Sequence, residues 1–170
     1  MPATYEKIEA KTLASATSTV TFSSIPATYT DLVFVIQAKQ TGTPTGTDAF
    51  ITLNGSTSSI YSRTVLNGDG TTASSSRGTN MDRAYFPVSP QTADAVIICN
   101  FMNYANTTTN KTMLMRYGGS PGVVYAAVYL YRSTAALSTI AFTGSDQMGA
   151  GTPDSWAIGS TFTLYGIKAA

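Results

Sequence analysis

Residues 160–168 constrain this chain more than any other stretch. Phe162 and Leu164 fall on one side of an extended backbone, and Thr161, Thr163 and Tyr165 fall on the other. A period of two puts alternate side chains on opposite faces, so this segment reads as a β-strand between two different surroundings. A strand needs neighbours for its backbone N–H and C=O groups. The partner expected for this one is residues 31–37, an early and nearly continuous apolar run through Leu32, Val33, Phe34, Val35 and Ile36. A run of that kind suits a central strand covered on both faces. Between the two, strand follows strand and no segment carries a convincing helical period.

Taken in order, residues 5–13 alternate weakly and are expected as an edge strand, or as part of a short N-terminal arm over residues 1–17. Residues 18–23 form a better strand, with Val20 and Phe22 on one side. Pro26 lacks a donor and fixes its own φ, so residues 24–30 are a corner where the sheet must break. Residues 48–54 return as a strand that ends in Asn54-Gly55, a tight-turn dipeptide. Residues 56–82 are the longest polar stretch and are expected as a surface loop around one short strand near residues 60–66. Apolar strands follow at 95–102 and 111–117, with a polar loop between them, and a further strand is expected at 136–143.

Residues 123–131 are apolar on both sides. Val124, Ala126, Val128 and Leu130 share one face, and a row of small aliphatics is expected in the core. Tyr125, Tyr129 and Tyr131 share the other, and a row of amphipathic rings is expected to meet a loop, another subunit or a ligand. With eight or nine strands and no dependable helix, the expected fold is an all-β antiparallel two-sheet sandwich. A jelly roll comes first and an immunoglobulin-like fold second. The 170 residues suit one domain.

Composition narrows the function classes. Hydrophobic residues make 43% of the chain, but charged ones only 11%, against roughly a quarter in an ordinary globular protein. The formal net charge is +1, which offers no strong field to collect nucleic acid or anionic lipid. No apolar run approaches the roughly 20 residues of a membrane-spanning helix. The first residues lack the basic and apolar regions expected of a secretory signal. There is no histidine, which removes the usual general base and the Ser-His-Asp arrangement. The single cysteine, Cys99, lies in an apolar run and is expected to be a small buried hydrophobe.

The nine acidic residues are scattered. Asp146 and Asp154 share a loop, but their spacing fits no calcium loop. Asp48 and Asp94 would serve a glycosidase only if the fold brought them together. Three Asn-x-Ser/Thr triplets, at Asn54, Asn106 and Asn110, match the glycosylation pattern, but such triplets arise by chance in a chain this rich in Ser and Thr. No catalytic residue, cofactor site or metal site is therefore expected, and the chain reads as a non-enzyme.

Three stretches together carry a resemblance: residues 23–32 around Ile25-Pro26, residues 50–55 with Tyr61-Ser62 after them, and the closing residues 160–168. They resemble a group of small tailed-phage virion proteins, of the type found in cyanophages and other phages of aquatic bacteria. The resemblance implies a structural protein on the outside of the capsid, of the decoration or cement type, with the major capsid protein as partner. It also implies self-association, with a trimer favoured by analogy with proteins on local threefold axes. A fibre or knob component binding host-surface carbohydrate is the alternative. The contact candidates are Tyr125, Tyr129 and Tyr131, together with Arg77 and Asn80 in the polar stretch. On this reading, replacing Tyr129 and Tyr131 with Ser breaks a contact and leaves the fold intact.

Overall fold

The computed structural model describes residues 4–41, 48–87, 95–119, 122–145 and 154–168. Among them lie twelve strands and no helix. They are β1 (Tyr5–Thr12), β2 (Thr19–Phe22), β3 (Asp31–Ala38), β4 (Asp48–Leu53), β5 (Tyr61–Gly68) and β6 (Ala73–Met81). The second half adds β7 (Ala84–Pro87), β8 (Ala95–Met102), β9 (Lys111–Gly119), β10 (Val123–Tyr131), β11 (Ile140–Ser145) and β12 (Thr161–Ile167). Every pairing is antiparallel.

One sheet has eight strands in the order β1-β12-β3-β8-β9-β10-β5-β6, and the other has four in the order β2-β11-β4-β7. Setting β5, β6, β9 and β10 aside leaves two four-stranded sheets between which the chain repeatedly alternates. Their orders, β1-β12-β3-β8 and β2-β11-β4-β7, are those of a jelly roll. The hairpins β5–β6 and β9–β10 are inserted into that roll, and they widen one sheet by four strands. β12 pairs with β3 as expected, with Phe162 opposite Ile36 and Leu164 opposite Phe34, and its other neighbour is β1.

The corner after β2 carries the chain from the small sheet to the large one. Ser24 there takes a φ of 55°, and buried Tyr104 donates its hydroxyl hydrogen to the Pro26 carbonyl. Asn54 and Gly55 both have positive φ, and the Ser56 N–H donates to the Leu53 carbonyl at 3.0 Å, which closes a tight turn. That turn joins strands of different sheets. The Asn54 side chain also braces the chain before β11: its amide donates to the Ala136 carbonyl, and its oxygen accepts from the Ser138 and Thr139 N–H groups.

Aromatic rings fill the space between the sheets. Phe34 meets Phe22 at 5.0 Å and Phe142 at 4.9 Å between ring centroids, and Trp156 meets Phe162 at 5.4 Å. Trp156 is fully buried and satisfies its indole N–H on the Phe142 carbonyl at 3.1 Å.

Two expectations change. Residues 56–82 are mainly the β5–β6 hairpin rather than a loop, and β7 adds a further strand, so the count exceeds nine. β6 is an edge strand exposed on both faces, so its polar sequence has no alternation to show. Residues 5–12, one reading of which was an arm, are paired along β12 as the opposite edge.

Candidate functional site

The inserted hairpins give the large sheet an inner and an outer surface, and their side chains sort against expectation. In β10, Tyr125, Tyr129 and Tyr131 point inward and are buried, while Val124 and Val128 are 62% and 46% exposed. The row of tyrosines is core, and the row of aliphatics faces out.

The inner surface supplies hydrogen-bond partners for two of the hydroxyls and a ring partner for the third tyrosine. The Tyr129 hydroxyl donates to the Tyr85 carbonyl at 2.6 Å and lies 3.1 Å from the Tyr125 hydroxyl. Arg63, opposite Tyr129 on β5, donates to the same carbonyl at 2.6 Å. Tyr131 packs against Tyr61 at 4.9 Å. Tyr61 in turn accepts from the Leu53 N–H and donates to the Ser56 carbonyl, so the rings tie the widened sheet to β4 and β7. Burial pushes the Tyr129 phenol well above its ordinary pKa and pushes Tyr61 up to about 12. As candidate contacts, Tyr125, Tyr129 and Tyr131 are therefore overturned by position. They also present no free ring face for a sugar.

The outer surface is built from cross-strand rows, since residues directly opposite in antiparallel strands share a face. One row runs Ile98, Arg116, Ala126, Leu66, Ser75 from β8 to β6, and the next runs Asn100, Leu114, Val128, Thr64, Arg77. Val96 and Val124 flank the first row, and Met102 and Leu130 flank the second. Two adjoining shallow depressions share Leu66, Arg116 and Ala126. At about 4.8 Å between strands and about 6.8 Å between rows, five strands and four rows cover roughly 400 Å². Within that area Leu66, Val96, Met102, Val124 and Val128 are exposed apolar side chains, interspersed with Arg116, Asn100, Thr64, Ser75 and Arg77.

Of the polar candidates, Arg77 is exposed on this outer surface at the β6 edge. Asn80 has a φ of 54° and accepts from Arg132 at 2.9 Å. Arg132 also donates to the Ser62 hydroxyl and the Ser59 carbonyl, so Asn80 belongs to a brace between β5, β6 and the end of β10. Arg116 was not singled out by sequence. A signal for it existed: with the Gly-rich turn at 118–122 setting the hairpin, Arg116 falls opposite Ala126. A guanidinium on that face marks it as the outer one.

Cys99 is buried, and burial pushes its thiol far above the ordinary range. Asp94 and Asp146 lie outside the described residues, as does the side chain of Asp48. No group of three metal-ligating side chains occurs among the described residues. Lys111 is buried with its ammonium on the carbonyls of Asn106, Thr109 and Thr134 at 2.5, 2.8 and 3.1 Å, and desolvation lowers its pKa. It fastens the loop after β8 to the chain after β10. None of the described helices is long and apolar enough to cross a membrane, since there are none.

Fold and surface define a class: a jelly-roll sandwich, widened by two hairpins, that presents an apolar outer sheet face. No protein-family model matches the chain, and no curated protein matches it.

Proposed function

We propose that this protein is a structural virion component that seats on the outside of an assembled phage capsid through the outer face of its eight-stranded sheet. The observation that carries the reading is the exposed aliphatic surface centred on Leu66, Val124 and Val128. Solvated sheet faces ordinarily turn polar residues outward. Here an aliphatic row faces water although the facing row of tyrosines fills the core. A protein that binds the assembled lattice, and not the loose subunit, stabilises the shell by mass action. A weakly charged surface suits that task, because many copies must sit side by side without mutual repulsion. Carried over from the resemblance are the major capsid protein as partner and a trimer as the working form.

The test is co-sedimentation with shells stripped of the protein. The parent should saturate at a copy number set by the lattice and should raise the temperature at which the shell releases its contents. The double variant Leu66→Ser/Val124→Ser should keep its own melting temperature and lose most of the binding. Saturation at only a handful of copies would move the protein to a fibre or tail position.

A further inference from the structure

The outer face has a charge pattern that restricts what can cover it. Arg116 stands within the apolar rows, between Ile98 and Ala126, and Arg77 stands at their β6 end. Both are exposed, and neither forms an ion pair among the described residues. The nearby arginines are already engaged: Arg63 on the Tyr85 carbonyl, and Arg132 on Ser62, Ser59 and Asn80. In the rows that hold Arg116 and Arg77 there is no carboxylate from β12 to β6. The carboxylates bordering them are Asp69, in the turn after β5, whose oxygen accepts from the Thr71 and Thr72 N–H groups at 2.9 and 2.7 Å, and Asp31, two strands and two rows from Arg116, whose oxygen accepts the Asn103 N–H at 2.7 Å.

Any partner that covers Leu66 and Ala126 must cover Arg116 as well. A guanidinium taken out of water without an acceptor is strongly unfavourable, whereas a carboxylate meets it with two parallel hydrogen bonds. Among the described residues a second copy of the same face brings more arginine and no acid into these rows, its carboxylates standing at the rim, so a twofold face-to-face dimer is disfavoured.

We infer that this face docks onto a protein surface of opposite character: an apolar strip carrying two carboxylates. One would meet Arg116 inside the strip and the other Arg77 at its rim. The two arginine backbones sit three strands and one row apart, or about 16 Å, which sets the spacing of the acids. The inference rests on the reading of this face as the surface that meets the shell. It adds the chemistry and spacing of the partner.

The experiment compares the parent with Arg116→Glu/Arg77→Glu and with the control Lys7→Glu on stripped shells, at low and at raised salt. Lys7 is exposed on the distant edge strand β1. The expected result is at least a tenfold loss for the arginine variant with its circular dichroism unchanged, a near-parental control, and parental binding that weakens with salt. Parental binding by the arginine variant overturns the acidic strip and leaves the capsid reading standing. An equal loss in the control shows general charge attraction and also overturns it. A parent that does not bind the shell overturns both readings. Capture of the parent by phosphatidylserine vesicles as tightly as by shells assigns the face to lipid instead.

Discussion

The Tyr129 phenol donates to the Tyr85 carbonyl at 2.6 Å from a site only 2% exposed, and one residue earlier Val128 stands half in water. Adjacent residues on one strand thus have opposite energetic roles. Tyr129→Ser removes a buried ring and one of the two donors to the Tyr85 carbonyl, Arg63 being the other, so it should cost about 3–5 kcal/mol, most of it from the lost ring. Val128→Thr keeps the branched shape on an exposed face and should change stability by less than about 0.5 kcal/mol. Urea unfolding of the two variants checks this, and a larger loss for Val128→Thr would mean that the faces are assigned the wrong way round. Tyr61 makes a second prediction. Burial raises its folded pKa from 10.0 to about 12, against the opposing effect of the Leu53 N–H, so the fold prefers the neutral phenol. Stability from that preference is complete below pH 10 and is lost as pH rises toward 12. Denaturant midpoints measured from pH 9 to 12 should fall more steeply for the parent than for Tyr61→Phe, and parallel curves would refute the assignment.

Elements differ in how firmly they are held. β3 is paired on both edges and keeps Leu32, Phe34, Ile36 and Ala38 in the core. β6 is paired only with β5 and has almost no buried side chain. Hydrogen exchange should therefore protect β3, β8 and β12 most strongly and β6 least, because local opening of β6 exposes little apolar surface. Protection in β6 equal to that in β3 would show that something further covers its free edge. The same contrast explains what could be read from sequence at this scale. β9 and β12 alternate, and β3, β8 and β10 are apolar runs, so each stands out as a strand. β6 buries neither, and Ser, Thr and Asn on a two-sided exposed strand have the composition of a loop.

At the scale of the whole molecule, packing and charge are separate matters. The ion pairs among the described residues, Glu9 with Lys11, Asp82 with Arg83 and Glu6 with Lys168, are all partly exposed and contribute little to the fold. The Glu6–Lys168 pair links the first strand to the end of the last, and Tyr29 donates to the same carboxylate. Tyr29 lies over Gly166, where a Cβ would run into its ring. The core itself is aromatic, from Trp156 and Phe162 to the buried tyrosines. Arg77 and Arg116 of the outer face take part in none of these pairs.

Alternation and composition alone determined the all-β class, the two-sheet sandwich, the corner at Pro26, the turn at Asn54-Gly55 and the pairing of the closing strand with β3. These are local consequences of a two-residue period and of restricted backbone angles, so they can be read without knowing what lies nearby. Only the tertiary structure decided which face of β10 is inside. Both of its faces are apolar, so the period is silent. The choice depended on where the Tyr85 carbonyl and the Tyr61 ring would lie, and these belong to strands distant in sequence. The apolar, arginine-bearing outer face follows from that choice, and the candidate site became visible only once every strand had a neighbour.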